Sequence, residues 1–268
     1  KIGGKEEIKY QNATPLYLFK RRIGWLILLL FIIYTGSSFA YDYKEDLNRI
    51  NQDLKEFTIS TEKNELLLGI TLTSLSFFLE KETGDLISKN KSNENKFLAD
   101  VGNIIGNPFI DFIVPITIYG ISEKNTKLAK SSFSAGESVF FSTLIAGVSS
   151  IAIGRHRPYK NDGRHHYEPF SLNDSFPSKH IASSTALFTT YAKYYEMPIL
   201  YIFPVLTAFG RIHNNKHYLA DTVAGATIGY VVADYVYKKD KERENKRALI
   251  PFLSLTQNGV FLGFTYKF

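Results

Sequence analysis

Cysteine is absent from the 268 residues. A disulfide framework and a thiolate zinc site are therefore both excluded. Long apolar runs are scarce too. Within the helical candidates beyond residue 40 the main uncharged stretches are 66–79, 138–154, 197–210 and 222–233. All are shorter than the roughly 20 apolar residues of a clean membrane span. They fit buried core helices or shallow membrane helices equally well. A surplus of one charge is missing from the body of the chain. Lys1, Lys5, Lys9, Lys20, Arg21 and Arg22 against Glu6 and Glu7 account for most of the net +6. The basic balance thus sits at the front and gives no reason to expect a nucleic-acid partner. Aromatic residues are plentiful, with 21 Phe and 17 Tyr, which suits a lipid neighbourhood or an aromatic core.

The front of the chain, "FKRRIGWLILLLFIIYTGSSFA", sets a basic cluster before an apolar stretch from Ile23 to Ile33. Ser38-Phe39-Ala40 places small residues where a signal peptidase reads. Residues 1–40 read as a secretory signal or an uncleaved anchor, and both send residues 41 onward out of the cytoplasm. Residues 41–63 form a polar lead-in, expected as a short exposed helix. Six helical candidates follow: 64–80, 97–122 broken by Pro108 and Pro115, 127–154, 178–195, 198–212, and one from about 217 into "KKDKEREN" at 238–245, expected as a solvated end. Residues 246–268 carry Asn258-Gly259 between two β-rich runs, a hairpin signal. Its alternating apolar residues also fit a barrel strand, but two strands close no barrel. The expected class is all-α, about six bundled helices over 64–245, with a small C-terminal β-hairpin.

Three stretches carry chemistry: "GRHRPY" (154–159), "PSKH" (177–180) and "GRIHNNKHYLAD" (210–221). In an up-and-down bundle all three reach one end. Arg155, Arg157, Lys179, His180, Arg211, His217 and Asp221 then converge there. Several cations at a helix N-terminus describe a phosphate cradle. Pro177 fits the opening turn of that helix, and Ser175 or Ser178 is placed to cap it. His217 and Asp221 are four apart, so on a helix they share a face. Asp221 can accept from one ring nitrogen of His217 and leave the other free to attack. His180, from another helix, can give the proton.

R-P, then P-S-x-H, then R-x5-H-x3-D resembles the type 2 phosphatidic acid phosphatase superfamily, which also contains bacterial class A acid phosphatases and vanadium haloperoxidases. The resemblance covers about 64–237. It implies that His217 is the nucleophile forming a phosphohistidine, and that His180 is the general acid that later activates water. Asp221 would orient His217. Arg157 and Arg211 would hold phosphate oxygens, with Ser178, Lys179 and Arg155 counted beside them, Arg155 being open to a lipid head group or a neighbouring acid as well. No metal or cofactor is implied. Three positions depart from the family pattern. Ser150 stands where the family has lysine, Lys179 where it has glycine, and Gly210 where it has serine. Lys179 is read as the compensating cation for position 150.

The expected function is hydrolysis of a phosphomonoester or pyrophosphate, on a membrane lipid or a small phosphate ester, at the periplasmic side. A soluble periplasmic acid phosphatase, a catalytically weakened envelope protein and a haloperoxidase are the rival readings. His165, His166 and Glu168 are read as a solvated or substrate-facing loop, with a metal site as the alternative; His156 is read as lining, His213 as a bystander and Lys216 as added positive potential. Ser131, Ser132 and Ser134 are read as small-residue packing.

Overall fold

The computed structural model describes residues 43–57, 62–123, 125–256 and 259–266. The leader read over 1–40 lies outside the described residues. Eight helices occur among the described residues. They are α1 (Tyr43–Glu56), α2 (Lys63–Lys89), α3 (Asn93–Ile105), α4 (Pro108–Ile121), α5 (Lys127–Ile153), α6 (Lys179–Tyr195), α7 (Ile202–His213) and α8 (Leu219–Ala248). Two strands come after them, β1 (Leu249–Thr256) and β2 (Gly259–Tyr266). They pair antiparallel with Leu249 opposite Tyr266. Part of the expected turn, residues 257–258, lies outside the described residues.

Local chemistry explains most boundaries. Ser92 caps α3 by accepting from Asn95 N–H, and Thr126 caps α5 by accepting from Ala129 N–H. Asn107 accepts from Phe109 N–H, and Pro108 opens α4 where no intrahelical donor is needed. The chain bends by 55° between α3 and α4. Of the two expected breakers, only Pro108 marks a boundary. Pro115 lies inside α4. Gly154 closes α5 in the left-handed region at φ 64°, and a Cβ there would meet Glu168 O at 1.7 Å. Only glycine meets both demands.

Helix α6 lies at the centre and packs against α4, α5, α7 and α8. Ala135 and Val139 of α5, Ala186 and Leu187 of α6 and Ala233 of α8 form one apolar cluster. Helix α8 meets α6 backbone to backbone. A Cβ on Gly225 would fall 2.5 Å from Ser178 O, and one on Gly229 2.4 Å from Ala182 O. This contact holds the opening of α6 beside the opening of α8. Helix α4 is tied to the same turn, because the Ser183 hydroxyl donates to buried Asp111 at 2.7 Å.

Two expectations about polar segments change. Ser131, Ser132 and Ser134 do more than keep helices close: their hydroxyls pair with those of Tyr195, Tyr191 and Tyr194 on α6. The charged segments that open and close the helical part of the chain are partly buried against each other rather than solvated. Arg243 of α8 pairs with buried Asp53 of α1, and Arg49 of α1 reaches Asp240 at 2.6 Å. Burial of each charge is offset by an opposite one.

Much of the exterior is apolar. Leu68, Phe78, Leu144, Val148, Ile202 and Val205 are all at least half exposed. Among the described residues, α5 is long and apolar enough to cross a membrane, and so is the bent α3–α4 pair taken together.

Candidate active site

Backbone hydrogen bonds bring the three motif stretches to one end of the bundle. Ser175 N–H donates to Arg155 O, Ser178 N–H to Asp221 O, and Tyr159 N–H to Asn215 O. The loop after α5, the opening of α6 and the α7–α8 turn are thus stitched together, although they span more than sixty residues of chain.

His217 lies in that turn, two residues before α8, with its side chain buried. Its Nδ1 is 2.7 Å from the carbonyl of Ser175. A carbonyl only accepts, so Nδ1 carries the hydrogen and Nε2 keeps its lone pair. Nε2 is buried and makes no hydrogen bond within the protein. Asp221 Oδ2 is 3.6 Å from Nδ1, beyond hydrogen-bond reach. The expected direct His217–Asp221 bond is therefore replaced by one to Ser175, and Asp221 acts on the ring through its charge. The reason is local. Asp221 sits at the third position of α8 and accepts from the N–H of Tyr218 at 2.8 Å, as a capping-box carboxylate does. It also accepts from the Ser175 hydroxyl at 2.6 Å, which fixes the strand whose carbonyl holds His217. Burial keeps His217 below the ordinary histidine range, with Arg211 and Arg157 adding to it and Asp221 opposing.

Of the partners open to Arg155, neighbouring acids take it rather than the cradle. Its side chain is fully buried. Nη1 donates to Glu80 Oε1 and to Asp221 Oδ1, at 2.9 and 2.7 Å. Nη2 donates to Glu80 Oε2 and to Arg164 O, and Nε donates to Arg164 O as well. All five donors are committed. The guanidinium has none to offer a phosphate oxygen, so Arg155 is a positioning residue behind Asp221. Phe77 and Tyr218 cover it, with ring centroids 5.0 and 4.3 Å away.

Other motif residues keep free groups. The buried Ser178 Oγ, His180 Nδ1 and Arg211 Nε make no hydrogen bond within the protein. Neither Ser175 nor Ser178 caps α6 through its side chain, contrary to expectation. Pro177 lies before the capping position rather than in the first turn. The first N–H groups of α6 thus have no side-chain cap, the condition in which a helix N-terminus suits an anion. Arg211 also donates to Asn103 Oδ1 at 3.2 Å. Arg157 pairs with Asp174 at 2.7 Å, and Lys179 with the other oxygen of that carboxylate at 2.9 Å. Burial works against the Asp174 charge, but these two cations outweigh it and hold its pKa below the usual carboxylate value.

Burial, with Arg211, His217, Arg157 and Lys179 around it, pushes His180 down to about 3. A phosphate dianion would reverse this field and favour the imidazolium. The ring signal of His180 in a histidine-labelled NMR titration should therefore stay in its neutral form well below pH 6. With saturating tungstate its midpoint should move upward. A midpoint indifferent to the anion would place His180 outside the cradle.

The structure also bears on the replaced family lysine. Ser150 is fully buried and donates to Gly147 O. Gly147 lies three residues earlier, on the same face of α5. A Cβ on Gly147 would sit 3.7 Å from Lys179 Cδ. The Lys179 side chain thus runs beside the face of α5 from which a residue at 150 projects. Lys179→Gly should lower turnover on the order of 10²-fold, the scale of losing one donor to a developing oxyanion. Turnover within threefold of wild type would remove Lys179 from the cradle.

Sequence reasoning missed Glu80, Asn103 and Asp174, and the carbonyl of Ser175. Glu80 did leave a signal, as the one acid closing the apolar run 66–79. The others are set by tertiary contacts. His213 is a bystander as expected, with Nε2 3.2 Å from Asn90 O, where it anchors the α2–α3 turn. Lys216 stacks over the Tyr159 ring at 4.8 Å.

Residues 132–244 match the model of the PAP2 superfamily. That span holds all three motifs but neither Glu80 nor Asn103. Among solved structures, the crystal structure of Aquifex aeolicus LpxE is similar at 18% identity. Its TM-score is 0.45, over 60% of this chain and 95% of that one. No curated protein matches the chain. Over 132–244, less than half of its length, the chain is similar to the PAP2 superfamily.

Proposed function

We propose that the chain is a phosphatase that cleaves a phosphomonoester or pyrophosphate of a membrane lipid through a phosphohistidine. The observation that carries this reading is the state of His217. Its Nδ1–H is spent on the Ser175 carbonyl, and its bare Nε2 is buried under the influence of Arg157 and Arg211. Arg157, Arg211, Lys179, the Ser178 hydroxyl and the first N–H groups of α6 would hold the phosphoryl oxygens, where negative charge must be met. His217 Nε2 attacks phosphorus, and the bond to the leaving oxygen breaks. That oxygen takes the proton of His180, which the substrate's charge has raised from its resting low pKa. Water then attacks the phosphohistidine while His180 takes its proton. The P–N bond breaks and inorganic phosphate leaves.

The apolar exterior supports a lipid substrate. Contiguous apolar surface on a protein marks an interaction site. Phe170 and Leu172, 84% and 95% exposed, lie on the stretch leading into Asp174. Phosphatidic acid, phosphatidylglycerophosphate, an isoprenyl pyrophosphate and a lipid A phosphate all fit this chemistry. The reading places the site on the periplasmic side of the membrane, which labelling of a cysteine introduced in loop 159–176 would check.

The test is hydrolysis of short-chain phosphatidic acid and p-nitrophenyl phosphate, with an alkaline detergent quench of the reaction with labelled substrate and recovery at alkaline pH. A base-stable, acid-labile phosphoryl-enzyme is expected, with the lipid preferred. Hydrolysis without such an intermediate would overturn the mechanism. Absence of hydrolysis across a panel of lipid phosphates would overturn the function.

A further inference from the structure

We propose that His156, His166 and Glu168 form a binding site for a divalent cation of zinc type, which clasps the two arms of the loop between α5 and α6. The backbone sets it up. Arg155 and Tyr167 form an antiparallel bridge. His156 N–H donates to His166 O at 3.0 Å, and Glu168 N–H to Gly154 O at 2.8 Å. Side chains alternate across such a pairing. Arg155 and Tyr167 fall on one face, where the guanidinium lies 5.7 Å from the ring centroid. His156 and His166 fall on the other, stacked with centroids 3.9 Å apart.

The donor atoms already approach metal geometry. Nε2 of His156 lies 3.2 Å from one oxygen of Glu168, and Nε2 of His166 lies 3.8 Å from the other. One ligand atom from each of the three residues lies within 4.8 Å of the other two. Neighbouring ligands of a tetrahedral zinc with bonds of about 2.0–2.1 Å are themselves roughly 3.3–3.4 Å apart. The nitrogen-to-oxygen spacings approach that value, and the two rings have to splay from their stack to turn both lone pairs on one ion. Two imidazoles and a carboxylate, with a fourth position for water, are an ordinary zinc donor set.

A supporting group is in place as well. Asp162 Oδ2 is 2.6 Å from His156 Nδ1. A carboxylate on the far nitrogen keeps the hydrogen there, directs the Nε2 lone pair at the metal and raises its basicity. The Asn173 amide nitrogen lies 2.9 Å from His156 Nε2 and 2.7 Å from Glu168 Oε2. It meets both as acceptors, the role in which a cation would meet them. The competing occupant is a proton, with His156 as an imidazolium held between Asp162 and Glu168. A shared dication differs from that state in engaging His166 as well as His156, so His166→Ala separates the two.

The clasp would lie beside the phosphate cradle without belonging to it. It closes the loop that carries Arg155 and Arg157, so its effect is on loop order. Nothing in it depends on the phosphatase reading.

The test uses the full chain after chelation, with zinc added in a calorimeter and in a thermal melt. One equivalent should bind and raise the melting temperature. His166→Ala and Glu168→Ala should each weaken binding at least tenfold and remove the thermal shift. Asp162→Asn should weaken binding on the order of tenfold, as loss of an outer carboxylate does. His165→Ala, one residue away on the same loop, should change neither. Failure of wild type to bind zinc, or equal binding by wild type and His166→Ala, would overturn the proposal. So would a melting temperature that responds to pH through His156 but not to zinc. The folded state of each variant is checked by its own melt without metal.

Discussion

His217→Ala should lose turnover by roughly 10⁴-fold or more, the scale on which nucleophile deletions act in covalent catalysis. It should still bind tungstate about as well as wild type. Arg157, Arg211, Ser178 and the N–H groups of α6 are supplied by other elements and do not lean on the imidazole. A variant that kept a tenth of the activity would end the phosphohistidine mechanism. The companion variant Asp221→Asn separates two ways of orienting a histidine. Where a carboxylate alone sets the tautomer, its amide costs about 10⁴-fold, because the ring turns its lone pair the wrong way. Here a backbone carbonyl at 2.7 Å sets it, and Asp221 stands off at 3.6 Å. Carbonyls survive side-chain substitution. Asp221→Asn should therefore cost well under 10⁴-fold, on the order of 10²-fold for lost electrostatic support. A loss equal to that of His217→Ala would return tautomer control to Asp221.

How far the sequence disclosed this molecule depends on the range of the interactions. The helices were legible because apolar periodicity and capping chemistry are local. Thr126, Asn107 and Pro108 mark their ends within three residues. The meeting of His217, His180, Arg157 and Arg211 was legible for a different reason. Alternate connections of an up-and-down bundle lie at the same end, so topology brings distant motifs together. Partner choice inside the site was not legible. The spacing of His217 and Asp221 suggests a direct bond, but α8 begins at Leu219. Asp221 thus faces the Tyr218 N–H as a cap, and a carbonyl from another loop fills its place. Arg155 was open in the sequence between a phosphate, a lipid head group and a neighbouring acid. Nothing local could choose among them, because the acid that closes on it, Glu80, lies 75 positions earlier. The polar lead-in and the "KKDKEREN" segment read as solvated because charge patterning cannot reveal that Asp53 and Arg243 find each other.

Glu80 yields the second large effect. It holds Arg155 by two parallel bonds, and Arg155 holds Asp221. The Glu80 and Arg155 side chains are fully buried. Removing one partner of a buried pair leaves the other charge without compensation and costs about 3–5 kcal/mol. Folded proteins have only about 5–15 kcal/mol in total. Glu80→Ala should therefore lower the midpoint of equilibrium denaturation sharply, and turnover with it. Destabilisation alone would not distinguish a strut from a positioning residue. The double variant Glu80→Leu/Arg155→Leu does. Apolar groups of similar volume tolerate burial where an orphaned guanidinium does not, so a large part of the lost stability should return. Turnover should not return, because Asp221 then lacks the cation that aligns it under Ser175 and His217. A double variant as active as wild type would reduce the Glu80–Arg155 pair to packing. A Glu80→Ala variant as stable as wild type would show that water or another carboxylate already satisfies Arg155. The expected pattern, stability regained and kcat still depressed at unchanged KM, would mean that this buried chain sets the geometry of attack rather than the binding of phosphate.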